Sequence, residues 1–309
     1  MKIFHEIINL KNEYKNIAIA LGMFDGMHLG HRSIVNRAIE LSEEIKGVSL
    51  VLTFQNHPLS VLDVDCMPLA IGSSEIRAEI LEKMGVDILL DIPFTKEFSL
   101  ISPQKFLAIL KENFEPKYVV VGENYTFGKG GVGDGNMLIK ESANFNFKAE
   151  VCKTVLNNDK PISSTRIRAL IKEGNLTETN NFLGRPFSYI GKVIHGDERG
   201  RRIGFPTANL KISEKSAKLP SGAYASKVKY KNKIYNAISN IGNNPTFDLN
   251  ETRLEVHILD FSQNIYDEKI EVMFIAKLRD EIKFKSVEDL ISALKKDREN
   301  AKRILEVKE

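Results

Sequence analysis

Five apolar residues in succession, Ile17-Ala18-Ile19-Ala20-Leu21, lead without a break into GMFDGMHLGH at 22–31 and then into a helix-forming run from Arg32 to Lys46. An apolar run that does not alternate suits a strand buried on both faces, as in a parallel sheet covered by helices. Strand, tight turn and helix in that order direct the first part of the chain to an α/β fold. Gly22, Gly26 and Gly30 let the turn fold tightly and a ligand approach the backbone. The start of a helix offers free N–H groups and a positive dipole end to an anion, which makes this junction a candidate nucleotide phosphate site. His28 and His31 flank Gly30 there. Two imidazoles in that place could donate to phosphate oxygens whose charge grows during phosphoryl or nucleotidyl transfer. The same residues also fit a tight turn whose histidines only satisfy packing.

The pattern repeats through residue 185. Strands are expected near Ile17 to Leu21, Val48 to Phe54, Asp87 to Leu90, Tyr118 to Val121 and Phe147 to Val151. Helices are expected between them near Ser33 to Ile45, Ser74 to Met84, Pro103 to Asn113 and Asn136 to Ala143, followed by Thr165 to Glu173 and Leu176 to Leu183. In such an open sheet, ligands bind beyond the carboxyl ends of the strands at the switch point of the strand order. After Gly184-Arg185-Pro186 the texture changes to short alternating stretches punctuated by glycine, proline and asparagine: Tyr189 to His195, Gly222 to Tyr230, Lys233 to Ile241, Arg253 to Asp260 and Ile270 to Leu278. These predict a small antiparallel β-barrel. A closing helix from Ser286 has a capping-box start, Ser286-Val287-Glu288-Asp289, and Leu290, Leu294 and Ile304 on its apolar stripe, to pack against the barrel. The expected division is 1–185 and 186–309.

At 309 residues, 42% of them hydrophobic, there is room for two cores. A net charge of +3 argues against a nucleic-acid-coating protein and for small ligands. No apolar run approaches the roughly 20 residues that cross a bilayer, and the start MKIFHEIINLKNEY has charges within its apolar part, so no membrane association and a cytoplasmic location are expected. Cys66 and Cys152 form no ligand-spaced pair and read as structural thiols without a disulfide. Zinc has little support from the scattered histidines; Mg²⁺ arriving with a nucleotide fits better. Association into a homo-oligomer is left open.

Further motifs follow the strands. In TFQNHP, 53–58, His57 lines the same cleft or serves a turn. VGENYTFGKGGVGDG, 121–135, has the glycine density of a mobile loop, with Asn124 to bond a nucleotide or acceptor and Tyr125 and Phe127 to pack or stack. PISSTRIR, 161–168, sets Ser163, Ser164 and Thr165 beside Arg166 and Arg168 at a helix start, either a capped helix or a triphosphate cradle. In HGDERGRRIGFPTANL, 195–210, Thr207 and Asn209 are two residues apart, so on a strand they share a face and could share Mg²⁺. Glu255 alternates with apolar neighbours, and alternation alone does not choose between a cleft and open solvent for it.

GMFDGMHLGH, ENYTFG and SSTRIR together resemble the adenylyltransferase module of prokaryotic bifunctional riboflavin kinase/FAD synthetases, a Rossmann-like H-x-G-H nucleotidyltransferase fold. GRRIGFPTANL, SGAYA, ISNIGNNPTF, LEVHILDF and LRDEIKF resemble its riboflavin kinase module. The resemblance implies ATP at Gly22, Phe24, Asp25, His28, His31, Ser163, Ser164, Thr165 and Arg168, with the two histidines stabilising the transition state. It implies the flavin or acceptor at His57, Asn124, Tyr125, Phe127 and Arg279. For the kinase it implies Mg-ATP at Gly204, Thr207 and Asn209, with Glu255 as base and Asn240 and Gly242 in the neighbouring loop. Asn56 stands where proline is common before His-Pro, and Ala223 where valine is usual. The implied chemistry is phosphorylation of riboflavin by ATP to FMN, then adenylylation of FMN by a second ATP to FAD and pyrophosphate. A different H-x-G-H adenylyltransferase would leave the PTAN barrel without a purpose. A flavin-storage protein would need neither SSTRIR nor PTAN.

Overall fold

The computed structural model of the chain describes residues 1–196, 200, 203–243 and 252–306. Contacts divide it into two compact units, Met1–Pro68 with Ser74–Ser163, and Leu69–Ser73 with Ser164–Glu309.

The first unit begins with β1 (Lys2–Phe4), β2 (Ile17–Leu21), α1 (Leu29–Glu44) and β3 (Val48–Phe54). It continues with α2 (Leu59–Leu62), α3 (Ser74–Met84), β4 (Ile88–Ile92), α4 (Lys96–Ser99), α5 (Pro103–Phe114) and β5 (Tyr118–Gly122). It ends with α6 (Gly135–Ser142), β6 (Lys148–Cys152) and a two-stranded ribbon of β7 (Leu156–Asn157) and β8 (Lys160–Pro161). Six strands form one sheet in the order β1-β4-β3-β2-β5-β6, every neighbouring pair parallel. The expected α/β sheet is therefore present, with an additional edge strand in β1. β2 sends Ile17, Ile19 and Leu21 to one face, where Phe106, Leu107 and Phe114 of α5 cover them. It sends Ala18 and Ala20 to the other face, toward Val35, Ala38 and Leu41 of α1, where small side chains let the helix lie close. The strand order turns back between β2 and β5, the switch point beyond whose carboxyl ends open α/β sheets bind ligands.

The second unit opens with α7 (Ser164–Glu173) and α8 (Leu176–Leu183). The barrel strands are β9 (Phe187–Lys192), β10 (Ala208–Lys211), β11 (Gly222–Tyr230), β12 (Lys233–Asn243), β13 (Thr252–Ile258) and β14 (Lys269–Asp280), followed by α9 (Val287–Glu306). They pair antiparallel in the order β10-β13-β12-β11-β14-β9. A bridge between Ile194 and Asn209, N–H to carbonyl at 2.8 Å, draws the two ends together into a nearly closed barrel. Phe187, Tyr189, Tyr224 and Phe274 stack edge to face inside it. Helix α8 is fixed to this barrel by Asn180, whose amide donates to the Phe274 carbonyl at 3.0 Å and accepts from the Phe187 N–H at 2.8 Å. The Ser286 hydroxyl caps α9 by accepting from Asp289 N, as its sequence predicts. The stripe differs: Asp297, Ala301 and Leu305 are buried, whereas Ile304 is 37% exposed. Cys66 is exposed and Cys152 half-buried, both free, so Cys66 does no packing work.

Candidate active sites

In the first unit, helix α1 starts three residues earlier than the sequence pattern suggests, because His28 itself caps it. The His28 Nδ1 accepts from the His31 N–H at 3.2 Å, so the neutral ring carries its proton on Nε2 and keeps that atom as a donor. The His28 and His31 rings stack at 3.6 Å between centroids, and Phe24 meets His31 edge-on at 5.5 Å. Helix geometry leaves the first-turn N–H groups of Leu29 and Gly30 available to an anion beside these rings. The turn leading there is strained. Phe24 and Met27 both sit in the left-handed region, at φ 50° and 46°, with Gly26 at 75° between them. Gly30 lies close to its neighbours: a Cβ there would stand 3.2 Å from the His28 ring, which would have to give by a few tenths of an ångström, and in ordinary contact at 3.6 Å with the Ile162 carbonyl oxygen. The start of the PISSTRIR segment therefore lies against the H-x-G-H turn.

The neighbouring loops are more tightly built than their composition suggests. The His57 Nδ1 accepts from Leu59 N at 3.2 Å within its own turn. Asn56 explains its departure from proline: its amide donates to the Ser60 hydroxyl and the Phe94 carbonyl and accepts from Phe94 N, locking the ends of β3 and β4 together. The glycine-rich segment after β5, expected to be a mobile loop, is closed by two backbone hydrogen bonds between Phe127 and Gly133 and a third from Lys129 N to the Ile101 carbonyl. Phe127 is 5% exposed and packs on Phe106, so its ring belongs to the core. Tyr125 stacks over it, with burial pushing its phenol above the ordinary value, and Asn124 is exposed. Ser163 ends the first unit, and Ser164, Thr165 and Arg168 lie on α7. Arg166 pairs with Glu178 at 3.1 Å over the Phe182 ring, while the Arg168 Nε donates to the Leu69 carbonyl at 2.6 Å.

In the second unit, strand register answers what alternation left open. Asn209 on β10 stands opposite Glu255 on β13, which stands opposite Asn240 on β12. Asn240 faces Ala223 on β11, and Ala223 faces Arg279 on β14. Cross-strand partners point to the same side of a sheet, so these residues form one row across five strands. The row lines a cavity of about 380 Å³ together with Thr207, Gly242, His257 and Asp297. Leu254 and Val256, on the opposite face of β13, are fully buried, which directs Glu255 to the cavity side. Gly204 lies on a neighbouring groove with Lys295 and Lys302. A second cavity of about 450 Å³, lined by Val193, Ile258, Phe261 and Tyr266, shares Thr207 with the first. Residues 197–199 and 201–202 of the arginine-rich loop, and 244–251 after β12, lie outside the described residues.

The family model for FAD synthetase matches residues 10–166, and that for riboflavin kinase matches residues 183–305. A bifunctional riboflavin kinase/FMN adenylyltransferase from Listeria monocytogenes is 39% identical over 290 residues, spanning 93% of this chain and 92% of its own length. The chain belongs to the bifunctional riboflavin kinase/FMN adenylyltransferase family. Relatives of the same description from Bacillus subtilis and Escherichia coli are 34% and 31% identical, covering 94% and 96% of this chain and 93% and 96% of their own. A crystal structure described as a macrolide-efflux protein from Streptococcus pneumoniae superposes with a TM-score of 0.85 at 31% identity, covering 98% of this chain and 99% of the other. Among the described residues here, no helix is long and apolar enough to cross a membrane.

The chain thus carries a FAD synthetase domain ahead of a riboflavin kinase domain. Three side chains unanticipated from the sequence support them. Asp297 on α9, 3% exposed, accepts from the Arg279 Nε at 3.0 Å and pairs with its Nη2 at 2.9 Å, while the Arg279 guanidinium lies 5.5 Å from the Phe284 ring centre. His257, two residues from Glu255 on the same strand face, bonds the Pro206 carbonyl through Nδ1 at 2.8 Å. Burial lowers its pKa below the ordinary histidine value by disfavouring the charged form. Arg77 on α3 is buried behind the H-x-G-H turn.

Proposed function

We propose that the kinase reaction takes place in the cavity that holds the Asn209–Glu255–Asn240 row. The riboflavin 5′-hydroxyl gives its proton to the Glu255 carboxylate while its oxygen attacks the γ-phosphate of ATP, and ADP leaves. Arg279, held in place by Asp297 and backed by Phe284, meets the flavin. Thr207, shared by both cavities, stands at the junction of nucleotide and acceptor, with the apolar second cavity taking the base. The Thr207 hydroxyl and Asn209 amide oxygen are hard donors that suit Mg²⁺, which when bound with ATP would neutralise charge on the phosphates. Two such donors fit an ion that keeps its remaining ligands from phosphate and water. Residues 186–309 are assigned to this half-reaction.

Residues 1–185 are assigned to adenylyl transfer. An FMN phosphate oxygen, largely ionised at neutral pH, attacks the α-phosphate of a second ATP, the bond to the β-phosphate breaks, and pyrophosphate leaves. No protein base is required. The task is to stabilise charge, which the His28 Nε2–H, His31 and the start of α1 can do. Gly22, Phe24 and Asp25 shape the turn; Ser163, Ser164, Thr165 and Arg168 are proposed for the triphosphate, and His57, Asn124 and Tyr125 for the acceptor side. Phe127 acts from the core beneath Tyr125. The two free thiols and dependence on ATP suit a reducing cytoplasm.

The cross-strand row carries this assignment, because it gathers Asn209, Glu255 and Arg279, far apart in sequence, on one cavity wall. Chromatography of products from riboflavin, ATP and Mg²⁺ over time tests it. FMN is expected to rise before FAD, and FAD without prior FMN would overturn two steps in series.

A further inference from the structure

The turn that presents His28 and His31 is strained, with Met27 N–H donating to the Phe24 carbonyl at 3.3 Å and the Arg32 Nε to the Met27 carbonyl at 3.0 Å. Two non-glycine residues in left-handed backbone, Phe24 and Met27, persist only where the surroundings over-determine them. Helices α1 and α3 both pack on residues 25–27, and α3 delivers a guanidinium to the start of the turn. Arg77 is 7% exposed and Asp91, on β4, is 6% exposed. The Arg77 Nη2 pairs with the Asp91 Oδ1 at 2.6 Å and donates to the Phe54 carbonyl at the end of β3 at 3.0 Å. Its Nη1 donates to the Met23 carbonyl at 3.3 Å, where the Thr53 hydroxyl also donates at 3.0 Å. One planar fork thus touches the carboxyl ends of β2, β3 and β4, and the Met23 peptide immediately precedes the strained residue Phe24.

A buried ion pair is weak evidence for stability, because desolvation consumes much of its Coulomb gain. Here both Nη groups also donate to carbonyls that border the turn, while the buried Nε has no hydrogen-bond partner among the described residues. We propose that Arg77 is a positioning residue for adenylyl transfer, fixing the Met23 peptide so that the turn holds the stacked His28 and His31 rings in one geometry. This rests on the reading that those histidines serve that reaction. Asp91 sets the orientation of the fork, and Thr53 completes the Met23 carbonyl. Lysine retains the charge but is a single point donor, so it cannot reproduce the bridge between Met23 and Phe54.

The test uses the full chain, whose riboflavin kinase activity reports separately on folding. Arg77→Lys is expected to lower kcat for FAD formation from FMN by about a hundredfold, the scale of a small misplacement of reacting groups, with KM for ATP held within about threefold. Riboflavin phosphorylation should be unchanged. Asp91→Asn, which keeps the shape and loosens the fork, should lower the same kcat by a smaller factor. His28→Ala measured alongside separates the two levels of argument: if it leaves FAD formation intact, the reading of the histidines fails. If it abolishes FAD formation while Arg77→Lys has normal kcat, or raises only KM, or loses both activities together, the role given to Arg77 is overturned.

Discussion

The two candidate sites are built in opposite ways. In the FAD synthetase domain, the proposed transition-state donors His28 and His31 are neighbours in sequence, carried by one strained turn and one helix start after a single strand. In the riboflavin kinase domain, each strand contributes about one residue, and the site exists only because antiparallel register aligns Asn209, Glu255, Asn240, Ala223 and Arg279 in a row. A turn-built site depends on backbone conformation and on whatever holds that backbone. A row-built site depends on strand register and tolerates a change at one position without displacing its neighbours. The first should be sensitive to glycine substitutions and to the loss of remote groups that donate to its carbonyls, the second to the loss of individual side chains.

The largest expected effect separates the halves completely. Replacing both His28 and His31 by alanine should lower FAD formation from FMN by about 10³-fold or more, the range of lost transition-state donors, while riboflavin phosphorylation, followed by FMN fluorescence after separation, stays normal. Asn209→Ala should do the reverse, lowering kinase activity by tenfold to a hundredfold, about the worth of one contact to a charged group, and raising the Mg²⁺ requirement in a titration. FAD formation from supplied FMN should not change.

Gly30→Ala probes the turn more finely. Alanine is the better helix former by about 1 kcal/mol, yet its Cβ would stand 3.2 Å from the His28 ring. Urea unfolding should therefore show no loss of stability, while FAD formation falls about tenfold as the ring is displaced. A variant less active and no less stable is the mark of a site set by backbone approach; equal activity would mean the ring has room.

The smallest effect concerns pH in the barrel. His257 has a folded pKa below its unfolded value because burial opposes its charged form. Below about 6.5, the unfolded value, the unfolded chain binds more protons than the folded one. The stability that neutral His257 contributes is present above that pH and is lost as pH falls toward the folded value. Urea midpoints for the chain should decline between neutral and mildly acidic pH, and His257→Gln should flatten that decline. An identical slope in the variant would assign the pH dependence to other groups.

What could be read in advance follows the same contrast. Ile17-Ala18-Ile19-Ala20-Leu21 and the H-x-G-H turn were legible because burial on two faces and turn chemistry are written in adjacent residues. The helix start was misplaced, since nothing in a propensity scale marks an imidazole as a cap, and Gly30 reads as a helix breaker. Arg77 and Asp91 were invisible: their pairing depends on how α3 lies across the sheet. The Gly128–Gly131 stretch looked mobile because composition does not reveal the backbone bonds that close it.

In the barrel, strand texture was legible and the facing of Glu255 was not, because a shift of one residue in register would turn it away. Here the resemblance to riboflavin kinases supplied what periodicity lacked. Asp297 did leave a signal. Leu290, Leu294, Ala301 and Leu305 make a helical stripe with Asp297 at the intervening position, and a lone carboxylate on such a stripe calls for a buried cation. Placing Ile304 on the stripe instead concealed it.

Complementation of two single-site variants tests most directly the claim that one chain holds two separable sites. Glu255→Gln should make no FMN from riboflavin but convert supplied FMN to FAD, and the His28→Ala, His31→Ala protein should stop at FMN. Mixed with riboflavin, ATP and Mg²⁺, the two proteins should restore FAD, with FMN appearing first in the chromatogram. If the mixture forms no FAD although each protein retains its own half-reaction, the steps are not independent and the account is wrong.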